Sequence, residues 1–177
     1  MMSSIENSSE GILENVICIN RVSKVVKGGR RFSFSACVVV GNGAGKVGYG
    51  LGKANEVPSA IGKATEAAKR MMQSRGSRVP LKNKTILYPI ESKYKASKVR
   101  IQPSPEGTGI IAGTSMKAVF TVAGIENITG KSYGSRNAIN VVVSTVNALQ
   151  SMSTPSEVAK RRGLTVEQVF EKDVSEE

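Results

Sequence analysis

The sequence contains no histidine, no tryptophan and only two cysteines among its 177 residues. The missing histidine excludes Ser-His-Asp and Cys-His catalysis, and two thiols are too few for a zinc site. Glu56 and Glu66 share one predicted helix, but their spacing turns them to different faces, which argues against a catalytic carboxylate pair. We therefore predict a protein without catalytic activity, cofactor or metal.

Long apolar runs are also missing, since no stretch approaches the ~20 residues of a membrane span. The opening "MMSSIENSSEG" is acidic and rich in serine, unlike a signal or transit peptide. Cys18 and Cys37 form no CxxC motif and lie among aliphatic residues, which favours reduced, buried thiols over a disulfide. We expect a cytoplasmic protein that has no membrane partner.

Positive charge is abundant, with a net charge of +11, and it is concentrated in one part of the chain. Residues 1–20 carry three Glu and no base, whereas residues 21–100 hold 18 Lys or Arg against three Glu. Residues 101–177 are close to neutral, with seven bases and eight acids. This distribution is typical of a protein that binds a polyanion, although a solvated basic surface is the simpler alternative.

A glycine-rich loop, "GNGAGKVGYGLGK" at residues 41–53, is the most conspicuous motif. It fails as a P-loop because Val40 and Val47 occupy the two positions that require Gly and Ser or Thr. It contains GxGxxG, but an extended segment follows where a Rossmann fold needs a helix. The loop instead predicts a β-hairpin whose glycines supply positive φ, which argues against a nucleotide-dependent enzyme.

The first half of the chain predicts the element order β-β-β-α. Two extended segments, "NVICINRVSKVV" and "RRFSFSACVVVG", flank a turn rich in cations, and the glycine hairpin leads into a helix. Asn55 is the expected helix cap, with Pro58 in the first turn. The expected buried stripe of the helix consists of Val57, Ile61, Ala64, Ala68 and Met71.

The second half predicts β-β-α-β-α. The expected strands are "TILYPIE", "SKVRIQP" and "IENITGKSYGS", and the expected helices are "GTGIIAGTSMKAVFTVAG" and "NAINVVVSTVNALQSM". Thr154 with Glu157, and Thr165 with Gln168, have the spacing of capping boxes that begin two short helices. The resulting α+β protein divides into an acidic tail (1–11), a first domain (12–75), a linker (76–84), a second domain (85–153) and a helical extension with an acidic tail (154–177).

Four segments in order resemble the bacterial-type small-subunit ribosomal protein S5 family. They are "NRVSKVVKGGRRFSF", "GNGAGKVGYGLGKANEVPSAIGKA", "QPSPEGTGIIAGTSMKAVFTVAGIENI" and "KSYGSRNAINVV". The resemblance extends from about residue 12 to residue 170. It implies that the β-β-β-α domain is similar to double-stranded-RNA-binding domains and that a second α+β domain follows it.

The resemblance also implies a role and partners. The family is a structural constituent of the 30S subunit that binds 16S rRNA and stabilises the head relative to the body. Its second domain contacts ribosomal proteins S4 and S8, and the S4-facing surface, around Gly109 and Lys117 here, bears on translational accuracy. With S3 and S4 it lines the mRNA entrance, as a monomer within the ribosome. A double-stranded-RNA-binding protein outside the ribosome is the alternative.

We expect the RNA contacts of the first domain to come from its cations and from the turn glycines between them. In this interpretation the glycines of the loop let the backbone approach ribose and phosphate. Phe32 and Phe34 point into the core, and base-stacking platforms are the alternative for these rings. Arg75, Arg78, Lys82 and Lys84 bind RNA or only solvate the linker. The expected RNA-binding residues are Arg21, Lys24, Lys27, Gly28, Gly29, Arg30, Arg31, Lys46, Lys53, Lys63, Lys69 and Arg70.

Overall fold

The first domain is a three-stranded antiparallel sheet with one helix on it, as the sequence predicts. The computed structural model describes residues 11–74 and 78–171. Arg75 and most of the two expected acidic tails lie outside the described residues. The strands are ordered β1-β2-β3. Their bounds are β1 Leu13–Val26, β2 Gly29–Gly41 and β3 Val47–Ala54, and the helix is α1 Val57–Gln73.

The glycines of β3 serve helix packing, which corrects the expectation that they face RNA. Gly48, Gly50 and Gly52 alternate along the strand and are buried under α1. A Cβ on Gly50 would lie 2.0 Å from the carbonyl oxygen of Ala64, and one on Gly52 would lie 2.1 Å from that of Ala60. Because no side chain fits there, backbone meets backbone, and these glycines set the distance between helix and sheet.

Helix α1 differs in detail from its prediction. Its N-cap is Glu56 rather than Asn55, and no side chain caps it. Ala64 and Ala68 are buried as expected, but Ala60 and Met72 are buried too, whereas the predicted Val57, Ile61 and Met71 are only partly covered. The buried face is therefore rotated toward the small alanines, since only they fit against the glycines of β3.

The second domain packs two helices on a four-stranded sheet of order β6-β7-β9-β8. The predicted order β-β-α-β-α is confirmed, with one short strand added before the first helix. Gly107 and Gly109, with φ of +87° and +74°, prevent the helix from starting as early as expected. The bounds are β6 Ile90–Tyr94, β7 Ser97–Pro103, β8 Ile110–Ile111, α2 Thr114–Ala123, β9 Ile128–Gly134 and α3 Ala138–Gln150.

The segment expected as a linker is structured where it is described. Strands β4 (Leu81–Lys82) and β5 (Thr85–Ile86) pair as a small hairpin, so Thr85 and Ile86 do not belong to the strand predicted for "TILYPIE". Val79 is buried, and its N–H donates to the carbonyl of Gly45 at 2.7 Å. The segment therefore packs against the glycine loop instead of spanning open solvent.

One hydrophobic cluster is common to the two domains, and a second lies between the first sheet and α1. Val39 and Val47, on the face of the first sheet opposite α1, are buried in the same cluster as Val122, Phe120 and Leu149 of the second domain. The first sheet is consequently covered on both faces near its β2–β3 end. Both capping boxes of the C-terminal extension are present, and they begin α4 (Pro155–Arg162) and α5 (Val166–Glu171).

Candidate nucleic-acid interface

A two-stranded arm, residues 20–33, extends from the first sheet. It carries five cations and no carboxylate, and every one of these cations is exposed. Val26 pairs with Gly29, so Lys27 and Gly28 form a two-residue turn at the tip. Gly29 takes a φ of +128°, a value that favours glycine, while a Cβ on Gly28 would meet nothing within 4 Å. The arm is therefore a narrow cationic projection with an uncrowded tip.

The cations of the arm occupy both faces of its ribbon. Lys24 lies opposite Arg31, which puts these two on one face. Arg30 lies opposite Val25, on the other face, where Arg21 also lies. An arm with cations on both faces can insert between two nucleic-acid segments and contact phosphates of both.

Phe32 is exposed, which corrects the expectation that it points into the core. Its relative exposure is 46%, and the guanidinium carbon of Arg21 lies 3.8 Å from the centroid of its ring. Phe34, two residues later, packs on the α1 side of the core as expected. Phe32 and Phe34 point to the same face of the sheet, but α1 covers only Phe34. Phe32 lies in the arm, beyond the hydrophobic core, and is therefore exposed. An exposed ring beside an arginine is suited to stacking with a base.

The structure separates the two lysines of the glycine loop. Lys53 lies opposite Ser35, on the ribbon face that carries Lys24 and Arg31. Val47 lies opposite Gly41, so Lys46 lies next to the C-terminal end of β2, about 23 Å along the strand from Lys53 at ~3.3 Å per residue. There it forms a backbone bridge with Arg78. Lys53 thus belongs with the arm, and Lys46 belongs to a different part of the surface.

Helix α1 contributes two exposed cations, Lys63 and Arg70, which lie seven residues apart and hence on the same side of the helix. Lys69 differs from them because its Nζ lies 2.9 Å from Oε1 of Glu14 on β1. The positive charge of Lys69 is therefore partly neutralised by Glu14 within the protein. Of the former linker cations, Lys84 is likewise paired, with Glu126 at 2.6 Å.

Gly109 and Lys117 lie in separate surroundings. The N–H of Gly109 donates to Oδ1 of Asn127 at 3.1 Å, and Gly109 lines an open groove together with Lys84, Glu126 and Asn127. Lys117 is exposed on α2 and does not line that groove. The groove is polar and carries charges of both signs, which suits contact with a protein.

A second basic surface was missed by the sequence interpretation. The outer face of the second sheet, which we call the open sheet face, carries one exposed aromatic ring, that of Tyr133, 47% exposed. Its only carboxylate among the paired positions of β6, β7 and β9 is Glu91, whose pKa is lowered by a hydrogen bond from Lys98. Its cations are Lys93, Lys98, Arg100 and Lys131. The alternation in "SKVRIQP" indicated which residues face outward, but only the strand order shows that three strands bring these charges together.

The described residues hold no group of three or more histidine, cysteine, aspartate or glutamate side chains that could bind a metal ion. Within the same residues, no helix is both long and apolar enough to cross a membrane.

Comparison with known proteins decides the family. Residues 12–74 match the model of the ribosomal protein S5 N-terminal domain, and residues 92–162 match that of its C-terminal domain. The chain belongs to the ribosomal protein S5 family. Among S5 relatives, the small ribosomal subunit protein uS5 of Psychromonas ingrahamii is 50% identical over 170 residues, 96% of this chain and 99% of the relative.

Two further S5 relatives carry the same name. The small ribosomal subunit protein uS5 of Alteromonas mediterranea is 55% identical over 158 residues, which cover 89% of this chain and 93% of the relative. That of Idiomarina loihiensis is 50% identical over 169 residues, with coverage of 96% and 99%. The similarity thus extends through the arm, both domains and α4.

Proposed function

We propose that this chain is a structural component of the small ribosomal subunit that binds 16S rRNA through the arm. The observation that supports this most directly is the charge of the arm, five cations without a carboxylate on a ribbon that projects from the core. Exposed Lys and Arg side chains bind phosphate without reading sequence. The shape of the RNA, and not its sequence, then determines where the arm binds, as is usual when proteins recognise structured RNA.

The two faces of the arm support a role in fixing one part of the subunit relative to another. Lys24 and Arg31 face one way, whereas Arg21 and Arg30 face the other. A ribbon that neutralises phosphates on both sides reduces the repulsion between two RNA segments. Stabilisation of the head relative to the body is the function that we propose for this arrangement.

The second domain is the proposed site of protein contacts. We assign the polar groove at Gly109 and the exposed Lys117 to the surface that meets ribosomal protein S4 and affects translational accuracy. Other contacts of this domain are with ribosomal protein S8, and with S3 and S4 the chain lines the mRNA entrance. The mixed charge of the groove, with Lys84 and Glu126 paired at 2.6 Å, supports a protein partner there.

The experiment measures binding of the full chain to a 16S rRNA transcript as a function of salt. The variant Lys24→Glu, Lys27→Glu, Arg30→Glu removes three phosphate contacts at the arm. Each lost contact lowers the slope of log K against log salt by roughly 0.7–0.9, so we expect a decrease of about 2–3.

The matched control changes three exposed cations elsewhere by the same charge, as Arg136→Glu, Lys160→Glu, Arg162→Glu. This control keeps the slope near that of the unmodified chain if the arm is the RNA site. An equal decrease in both variants would show that net charge alone governs binding and would contradict the assignment.

A further inference from the structure

Cys18 and Cys37 lie directly opposite each other on β1 and β2. This pairing depends on an irregularity at Ile17, because the register shifts between Val16 and Cys18. Val16 faces α1 with its partner Val38. With the extra residue at Ile17, Cys18 faces the opposite side of the sheet, where Cys37 lies. The bulge therefore determines that the two thiols share a face.

Directly opposite residues of an antiparallel pair have Cα atoms about 4.5–5.5 Å apart. That range lies within the separation that a disulfide bridges, roughly 4.4–6.8 Å. Both cysteines are free in the structure. They also line the same cavity of about 240 Å³, together with Leu51 and Ile139. The geometry thus meets the requirement for a bond between them and provides a small space beside it.

Access to the two thiols is unequal. Cys37 is buried at 1% exposure, whereas Cys18 is only partly covered. Burial raises the pKa of Cys18, and burial together with the nearby Cys18 raises that of Cys37 to about 12. Since the thiolate is the reacting species, reaction at neutral pH is slow, begins at Cys18 and accelerates as the pH rises.

We propose that Cys18 and Cys37 form a redox modification site, which a low-molecular-weight disulfide converts into an intrachain disulfide. The Cys18 thiolate attacks one sulfur of the oxidant, forms a mixed disulfide and releases one thiolate. Cys37 then loses its proton and attacks the Cys18 sulfur, which releases the second small thiolate. The protein gives up two electrons and two protons, and the oxidant is reduced to two thiols.

The bond would close the chain around the arm. Residues 20–33 lie entirely between the two cysteines, so oxidation converts the proposed RNA-binding ribbon into a covalent ring. The strands of the arm could no longer separate at its base. The chemistry of the site does not depend on the proposed function, although this consequence for RNA binding does.

The test exposes the folded full chain to oxidised glutathione at several pH values and follows intact mass and free thiols. We expect loss of two hydrogens, loss of both thiols, and a peptide that links Cys18 to Cys37 after digestion without reduction. In the folded chain the internal bond should form from the glutathione adduct without accumulation of that adduct, because Cys37 lies opposite Cys18. Cys37→Ser should stop at the glutathione adduct on Cys18, and Cys18→Ser should react far more slowly.

Two results would overturn the proposal. One is a stable glutathione adduct on Cys18 in the unmodified folded chain with no internal bond. The other is an internal bond that forms only after unfolding in urea. Binding to 16S rRNA is measured separately, so a failure of the RNA assignment leaves the thiol result interpretable.

Discussion

Gly50→Ala tests whether β3 and α1 meet backbone to backbone. The added Cβ would lie 2.0 Å from the carbonyl oxygen of Ala64 and 2.5 Å from the amide nitrogen of Ala68. Ordinary contact begins at 3.4 Å, so the helix and strand must separate by about 1.4 Å at this point. Neither group is a flexible side chain. We therefore expect a loss of about 3 kcal/mol in the free energy of unfolding, the upper end of overpacking costs.

The assay is urea unfolding of the purified full chain, followed by circular dichroism. Gly62→Ala is the matched control, because it makes the same substitution on the exposed side of α1, where a Cβ meets nothing within 4 Å. It should stabilise the chain by about 0.5–1 kcal/mol, as expected for alanine in a helix. If Gly50→Ala were as neutral or stabilising as Gly62→Ala, the packing explanation of the glycine-rich motif would be refuted.

Two further predictions concern the second domain and the extension. Phe120→Ala empties a fully buried position and should lower the free energy of unfolding by about 3–5 kcal/mol in the same urea assay, whereas a much smaller loss would show that the core collapses around it. Thr154→Ala removes the hydroxyl that accepts from the N–H of Glu157 and should weaken α4 by about 1 kcal/mol; hydrogen exchange should speed up in α4, and unchanged protection there would contradict a role for the cap.

The sequence predicted most of the fold because its local signals agreed with the tertiary structure. The pairing of β1 with β2 across a short turn and the capping box at Thr154 are each satisfied by partners close in sequence. Strand β8 could not be predicted, since two residues pair only because β9 lies alongside them. The segment around Val79 looked polar, and its burial follows from contact with the glycine loop, far away in sequence.

The candidate site was predicted by composition more than by geometry. The cations of the arm were identified because they crowd a short segment without acids. Their division between two faces depends on register, and the exposure of Phe32 depends on where α1 begins. The expectation that the glycines of β3 contact RNA was wrong, because the sequence of a glycine-rich strand does not show whether RNA or a helix packs against it. The open sheet face needed three strands to be placed side by side.

The most direct test of the central claim is sedimentation of a tagged copy through sucrose gradients of cell lysate at high and at low magnesium. A component of the small subunit migrates with 70S particles at high magnesium and with 30S particles once the subunits dissociate. We predict this behaviour for the unmodified chain. A signal confined to the top of both gradients would contradict the proposal and favour an RNA-binding protein that acts outside the ribosome.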